Sequence, residues 1–266
     1  MIEIHNIYKT FNPGTVNEKL ALDGVSLTLN DGDFCTVIGG NGAGKSTMLN
    51  ALAGVWPVDS GSVVIDGVNV TSLSEHKRAK YIGRVFQDPM TGTVADMEIV
   101  ENLALAARRG KRRGLSWGVK KEEKEKYREM LTELDLGLED RMTTKVGLLS
   151  GGQRQAITLL MATIQKPKLL LLDEHTAALD PKTAAKVLEL SDKIIEENNL
   201  TALMVTHNMK DAIVHGNRLI MMSDGKIILD ISGDEKKQLT VEQLLQKFEQ
   251  VSGSKMDNDR MLLSKD

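Results

Sequence analysis

The sequence has one cysteine and no long hydrophobic run, and each of these shortages excludes a class of protein. A single cysteine among 266 residues cannot form an intrachain disulfide, so a disulfide-stabilised extracellular domain is excluded. Cys35 lies in the apolar segment 34–38, and we expect it to be a buried strand residue. No apolar run approaches the roughly 20 residues that a membrane-spanning helix requires. If the protein acts at a membrane, we expect another chain to span it.

The sequence also lacks an excess of positive charge and an N-terminal secretory pattern. Its formal net charge is −3 and its pI is about 6.0, without the strongly basic balance that is typical of nucleic-acid-binding domains. We therefore expect no nucleic-acid partner. The first eleven residues lack the charged and then apolar pattern of a signal peptide, which favours the cytosol. The basic run 108–113 is either a solvated loop or a surface that faces anionic lipid.

Hydrophobic periodicity predicts an α/β fold in a single domain. An apolar run at 33–38 ends in glycines, and from Lys45 onwards the apolar residues recur on one helical face. The pattern becomes helical between about 98 and 166, after which strands and helices alternate. We therefore expect a parallel-sheet core with a helical insertion at about 98–166, one domain over 1–249 and a polar tail at 250–266.

The loop between the first apolar strand and its helix has the composition of a phosphate-binding loop. Residues 39–46 read Gly-Gly-Asn-Gly-Ala-Gly-Lys-Ser, which matches the pattern G-x-x-x-x-G-K-[ST]. Glycines permit backbone N–H groups to converge on phosphate oxygens, and the positive end of the helix faces the same charge. The Lys45 ammonium would contact the β- and γ-phosphates, and the Ser46 hydroxyl would bind Mg²⁺. The predicted ATP contacts are Gly39, Gly40, Asn41, Gly42, Ala43, Gly44, Lys45, Ser46 and Thr47.

Two carboxylates follow a second apolar strand pattern. Leu169–Leu172 is an unbroken leucine run, and Asp173 and Glu174 come directly after it. Open α/β sheets bind ligands at the carboxyl ends of their strands, so we expect both acids beside the phosphate loop. Asp173 would hold Mg²⁺, directly or through water, and Glu174 would polarise the attacking water. On its own the pattern is equally typical of two surface acids. The presence of the phosphate loop in the same sequence favours the catalytic interpretation.

A third segment makes the combination specific. Leu149–Gln153 reads Leu-Ser-Gly-Gly-Gln, in which Ser150 is placed to cap a helix whose first turn could bind an anion. With this pentapeptide, its signature motif, the sequence resembles the ABC-type ATPase family from residue 1 to about 231. The resemblance implies a P-loop NTPase core with a parallel sheet, an antiparallel β subdomain and an inserted α-helical subdomain.

The resemblance implies a homodimer in which two chains enclose two molecules of ATP. The signature of one chain would contact the nucleotide held by the phosphate loop of the other. The signature residues concerned are Ser150, Gly151, Gly152 and Gln153. Asp180, which ends the segment Ala-Leu-Asp, matches the loop that crosses this dimer interface.

Further positions match family residues that contact or sense the nucleotide. Gln87, in Val-Phe-Gln-Asp-Pro, matches a glutamine that contacts Mg²⁺ or water, and His207, in Val-Thr-His-Asn, matches the switch histidine at the γ-phosphate. Phe11 has the spacing of the aromatic residue that stacks on adenine, with Tyr8 as its competitor. The catalytic set implied by the resemblance is Lys45, Gln87, Glu174 and His207.

One residue departs from the family pattern. His175 stands where the family usually has a proline after the two acids. Two explanations remain open, a tolerated substitution in a turn and an imidazole that titrates near neutral pH beside Glu174.

The resemblance implies an ATP-hydrolysing subunit that drives transport through a separate membrane permease at the cytoplasmic face of the membrane. The separate-subunit arrangement is similar to that of bacterial importers, and the stretches 147–156 and 173–183 resemble ATPases of amino-acid uptake systems. A substrate-binding protein would act on the chain only through the permease. Two alternatives remain open, a soluble ABC ATPase without a permease, for example in cluster assembly, and the ATPase of an export system.

Overall fold

A computed structural model describes residues 1–111 and 118–252, which form ten strands and nine helices. The strands are β1 Ile2–Phe11, β2 Lys19–Leu29, β3 Phe34–Ile38, β4 Ser60–Ile65, β5 Val68–Asn69, β6 Ile82–Val85, β7 Leu169–Asp173, β8 Ala202–Val205, β9 Arg218–Ser223 and β10 Lys226–Ser232. The helices are α1 Lys45–Ala53, α2 Glu75–Arg78, α3 Ile99–Ala107, α4 Lys121–Thr132, α5 Gly151–Thr163, α6 Pro181–Glu197, α7 Met209–Val214, α8 Gly233–Lys237 and α9 Val241–Ser252.

The strands form one mostly parallel sheet and one antiparallel sheet. The larger sheet has the order β10-β9-β3-β8-β7-β6, and all its neighbours are parallel except β10 and β9. The smaller sheet has the order β2-β1-β4-β5 and is antiparallel throughout. The predicted α/β class, with a parallel core, an antiparallel β subdomain and added helices, is confirmed.

The central strands β3, β7 and β8 are almost entirely apolar and buried because both faces of the parallel sheet are covered. In β7, Leu170 and Leu172 pack into a cluster with α3, α5 and α6. Leu169 and Leu171 pack on the opposite face, in a cluster with α1 and the antiparallel sheet. Cys35 is fully buried in β3, and burial raises the pKa of its thiol to about 12, so the prediction of a buried strand residue is confirmed.

Helices α3, α4 and α5 occupy the region where the sequence predicted a helical insertion. The first arginines of the basic run are engaged within this region. Arg108 forms an ion pair with Glu123 at 2.9 Å, and Arg109 donates a hydrogen bond to the Ala162 carbonyl at 3.1 Å. Neither is therefore a fully solvated loop residue, and the segment 112–117 lies outside the described residues.

A buried arginine in the short helix α2, which the sequence pattern did not predict, closes the C-terminal end of α1. The Arg78 side chain is almost fully buried, and its guanidinium donates to the carbonyls of Ala51 and Leu52, both at 2.7 Å. It also donates to the carbonyls of Leu73 and Thr71 at 2.9 and 2.8 Å. The last carbonyls of a helix have no partner within the helix, so Arg78 supplies a donor to Leu52 and adds one to Ala51, which also accepts from the Gly54 N–H.

We predict that Arg78→Met destabilises the protein by roughly 2–4 kcal/mol, because the change retains the long apolar stem and removes the hydrogen bonds to four carbonyls. Urea denaturation would measure the free energy of unfolding. Lys77→Met, at the exposed neighbouring position of the same helix, is the control and should change stability by less than about 0.5 kcal/mol. Equal losses in the two variants would contradict the capping role.

Candidate active site

The phosphate loop connects β3 to α1 and requires glycine at two positions of close approach. A Cβ at Gly39, with φ of 151°, would lie 2.3 Å from the carbonyl oxygen of Met222 in β9. A Cβ at Gly44, with φ of 104°, would lie 2.6 Å from the carbonyl oxygen of Ala21 in β2. Both distances are too short for any side chain, so the loop is held against the backbone of both sheets.

The Lys45 side chain folds back over this loop. Its ammonium donates hydrogen bonds to the carbonyl oxygens of Gly39 at 2.6 Å and Gly40 at 3.1 Å, and the residue is only 5% exposed. The positive charge is thus held within the phosphate loop, which is where a lysine that contacts the β- and γ-phosphates is expected.

A cleft of about 300 Å³ opens in front of the loop, and we call it the phosphate-loop cleft. It brings together strands of the antiparallel sheet and the segments that follow β3, β7 and β8 of the larger sheet. Its lining residues are Phe11, Lys19, Ala21, Asn41, Gly42, Ala43, Gly44, Lys45, Ser46, Thr47, Glu174 and His207. Ten of these twelve were predicted from the sequence, and Lys19 and Ala21 were not.

Glu174 and His207 meet at one end of the cleft. The strand order places β7 beside β8, and the Glu174 carboxylate lies 2.6 Å from Nε2 of His207. Glu174 has φ of 48°, a left-handed conformation that costs of the order of 1–3 kcal/mol in a non-glycine residue. This backbone conformation points the Glu174 side chain away from the line of β7 and into the cleft. A carboxylate so placed can accept a proton from an attacking water, while the imidazole fixes its orientation.

Asp173 is not among the lining residues of the cleft and is held by a residue that sequence reasoning missed. Its Oδ2 accepts a hydrogen bond from Nη2 of Arg84 at 2.9 Å. The exposed Ser46 hydroxyl and the Asp173 carboxylate are the oxygen ligands that Mg²⁺ prefers, so these residues fit the cation. When bound, Mg²⁺ would neutralise charge on the β- and γ-phosphates. The only feature of the sequence that could have pointed to Arg84 is its position three residues before Gln87.

Two aromatic candidates for the adenine site are separated by the structure. Phe11 lines the cleft and packs edge-on against Trp56, with ring centroids 4.9 Å apart and an interplanar angle of 82°. Tyr8 instead lies over Gly24, where its hydroxyl is 2.9 Å from the position of an added Cβ. The geometry therefore favours Phe11, although the stacking role itself stays a prediction. Gln87 is exposed after β6 and does not line the cleft of the single chain.

The signature segment and Asp180 also lie outside the cleft of the single chain. Ser150 caps α5, accepting from the Gln153 N–H at 3.3 Å, while the Gln153 side chain accepts from the Ser150 N–H at 3.2 Å. Asp180 caps α6, and hydrogen bonds from Thr183 lower the pKa of its carboxyl. Both caps leave their helix starts at the surface. The role of these residues at a partner's nucleotide stays a prediction.

His175 turns away from the cleft. It is 2% exposed, and its Nε2 lies 3.0 Å from the Ser191 hydroxyl in α6, which itself donates to the Val187 carbonyl. The imidazole therefore donates through Nε2. Burial, aided by nearby His215, lowers the pKa of His175 to about 4. The hypothesis that it titrates near neutral pH beside Glu174 is wrong, and the residue instead anchors the turn to α6.

A comparison with protein families decides the identity. The family model described as ABC transporter matches residues 22–177. The chain belongs to the ABC transporter family. It is 45% identical over 254 residues to the tyrosine transport ATP-binding protein of Clostridioides difficile, covering 94% of this chain and 99% of that protein. It is also 35% identical over 231 residues to the methionine import ATP-binding protein MetN of Bartonella henselae, covering 86% of this chain and 64% of MetN.

Solved structures of ABC cassettes have the same fold. A dimeric ATP-binding cassette in a post-hydrolysis state, bound to ADP and Pi, matches with a TM-score of 0.74 and 31% identity over 87% of this chain and 98% of that one. A nucleotide-free cassette from an ABC transporter matches with a TM-score of 0.74 and 25% identity over 100% and 99% of the two chains. The chain is an ATP-binding and ATP-hydrolysing subunit of the ABC type, as the sequence predicted. Within the described residues, no helix is both long and apolar enough to cross a bilayer.

We predict that Glu174→Gln retains ATP binding and lowers the turnover number by about 10²–10⁴, because the amide keeps the shape of the side chain and cannot accept the proton of the attacking water. Phosphate release would measure turnover, and calorimetry would measure binding. The matched control is Glu196→Gln on the exposed surface of α6, which should hydrolyse ATP normally. Normal turnover in Glu174→Gln would show that another group is the base.

We predict that His175 makes the protein less stable as pH falls from about 6.5 to 4. In this window the unfolded imidazole binds a proton and the native one, with its pKa lowered to about 4, does not. The free energy of unfolding should fall by about 3 kcal/mol across the window and show no contribution above it. Urea denaturation at a series of pH values would show a steeper slope in the wild type than in His175→Gln. Equal slopes would contradict the assignment.

Proposed function

We propose that this chain is the ATPase subunit of an amino-acid uptake system, and that two copies close over two molecules of Mg-ATP. The observation that carries the proposal is the single cleft that Lys45, Glu174 and His207 line together, with Glu174 and His207 2.6 Å apart. The tyrosine transport relative supports the substrate class, since it matches over nearly the full length of both chains. MetN, named for methionine import, supports the direction of transport.

The open cleft supports the dimer. Its lining residues come from the phosphate loop, the antiparallel sheet and the Glu174–His207 pair, and no signature residue is among them. The helix start at Ser150 is exposed, so the positive end of α5 is open to an anion from outside the chain. Two copies related by a two-fold axis could each supply this helix start to the other's nucleotide. The dimeric cassette among the solved structures supports the arrangement.

A groove lined by Phe86, the residue before Gln87, supports the permease contact. It has a volume of about 370 Å³ and lies between the parallel sheet and the helical insertion. Phe86, Leu105 and Met161 give it an apolar floor, and Glu75 and Arg109 lie on its charged lining. Leu105 is 37% exposed although it is a large hydrophobic residue. We infer that a helix of the permease docks here, which places the chain at the cytoplasmic face of the membrane, with any substrate-binding protein beyond the permease.

We predict that cells lacking this chain lose uptake of one amino acid, because the permease has no other source of ATP-driven motion. Uptake of radiolabelled tyrosine, methionine and spermidine would be compared in the deletion strain. The wild type and the surface variant Glu196→Gln should restore uptake of the amino acid, and Glu174→Gln should not. Undiminished amino-acid uptake in the deletion strain, with loss of spermidine uptake instead, would overturn the substrate class.

A second variant separates permease docking from ATP hydrolysis. Leu105→Asp places a charge on the groove floor, so it should abolish uptake while the purified subunit still hydrolyses ATP. Val68→Asp, at a 40% exposed position on β5 in the other sheet, is the control. Full uptake by Leu105→Asp would show that the permease binds elsewhere.

A further inference from the structure

We propose that Arg84 is a positioning residue that orients the Asp173 carboxylate for Mg²⁺ and thereby sets the gain in ATP affinity that the cation provides. This inference rests on the proposed binding of Mg-ATP in the phosphate-loop cleft. It concerns a residue that lies beneath that cleft and touches neither the nucleotide position nor the Glu174–His207 pair.

The Arg84 guanidinium bridges two elements. Nη2 lies 2.9 Å from Oδ2 of Asp173 at the end of β7, and Nη1 donates to Oδ1 of Asn50 in α1 at 2.8 Å. The Arg84 and Asp173 side chains are only 13% and 16% exposed. In so enclosed a place the charge-assisted contact is screened far less than a surface ion pair, and the planar guanidinium fixes the direction of both bonds.

The bridge joins the elements that carry the two proposed metal ligands. Asn50 lies four residues after Ser46, so the two side chains share one face of α1. Asp173 ends β7, which pairs with β6, the strand of Arg84. Because Arg84 donates to Oδ2, Oδ1 is the oxygen of this carboxylate that the guanidinium leaves for a cation. One guanidinium therefore contacts the carboxylate directly and is linked to the hydroxyl only through Asn50, one turn further along α1.

Other contacts hold Arg84 in this pose. Its guanidinium lies over the Phe86 ring, 4.6 Å from the ring centroid. Its Nε is buried and has no hydrogen-bond partner among the residues of 1–111 and 118–252. The two Nη contacts and the ring therefore determine the orientation of the guanidinium. Arg84 and Phe86 also line the groove beneath Leu105, so the bridge lies between that groove and the metal ligands.

A purely structural ion pair between β6 and β7 is the competing explanation, and the two differ in one measurable quantity. A structural pair would affect folding and ATP binding with and without Mg²⁺ alike. A positioning residue affects only the increase in affinity on adding Mg²⁺. Groups that orient metal ligands typically account for 10–100-fold in metal affinity.

The test is ATP affinity by calorimetry, in excess Mg²⁺ and in EDTA, for the wild type, Arg84→Met and Arg84→Lys. We expect Arg84→Met to reduce the Mg²⁺-dependent gain in affinity about tenfold or more, with affinity in EDTA within about twofold of the wild type. Arg84→Lys retains the charge without the fork, so it should recover only part of the gain. An unchanged or larger gain in Arg84→Met would overturn the inference.

Two further variants test whether a folding defect, rather than the loss of positioning, explains the result. Asn50→Ala removes one of the two contacts and should reduce the gain in the same direction by a smaller factor. Arg218→Met is the matched control, because Arg218 is similarly buried and pairs with Asp230 at 2.6 Å, at the amino end of the sheet. Its gain should stay unchanged. If wild-type ATP binding itself gained nothing from Mg²⁺, the proposed function would fail, whereas a normal gain in both Arg84→Met and Asn50→Ala would refute the Arg84 role alone.

Discussion

The carboxyl ends of β3, β8, β7 and β6 lie side by side because these strands are parallel neighbours in one sheet. Each strand delivers a different group to this edge: the phosphate loop, His207, the Asp173–Glu174 pair and Gln87. Adjacent strands are about 4.8 Å apart, so end groups of neighbouring strands can meet, as Glu174 after β7 and His207 after β8 do at 2.6 Å. The hydrophobic packing on both faces of the sheet thus determines the geometry of the chemistry.

The parts of the site that could be predicted are those in which function constrains a continuous stretch of backbone. The phosphate loop needs glycine at fixed spacing, because Met222 and Ala21 carbonyls leave no space for a side chain at Gly39 and Gly44. The signature serine needs its capping partner three residues later. Such requirements are visible in the order of residues alone. The family resemblance added the roles of Gln87, His207 and Asp180, which no local pattern contains.

The parts that could not be predicted are contacts between distant segments. Arg78 and Arg84 lie six residues apart in the chain, yet one caps α1 and the other holds Asp173 in β7. Their sequence neighbourhood is an unremarkable charged stretch leading into a short strand, and only the folded partners distinguish them from surface arginines. His175 was mispredicted for the same reason. Its neighbour Glu174 suggested a role in the cleft, whereas in the structure its side chain contacts Ser191 of α6.

The packing of α5 against α6 connects the two surfaces expected at the partner. A Cβ at Gly152 would lie 2.2 Å from the Cγ2 atom of Thr183, so the signature helix approaches the start of α6 more closely than any other residue would allow. Thr183 in turn donates its backbone N–H to the Asp180 carboxylate at 3.1 Å. The signature and the Asp180 cap are therefore one packed unit. A movement that brings Ser150 to a neighbouring nucleotide must carry Asp180 with it, and Asp180 lies only six residues beyond Glu174. The second glycine of the signature thus couples the position of α5 to the turn that carries Glu174 in the same chain.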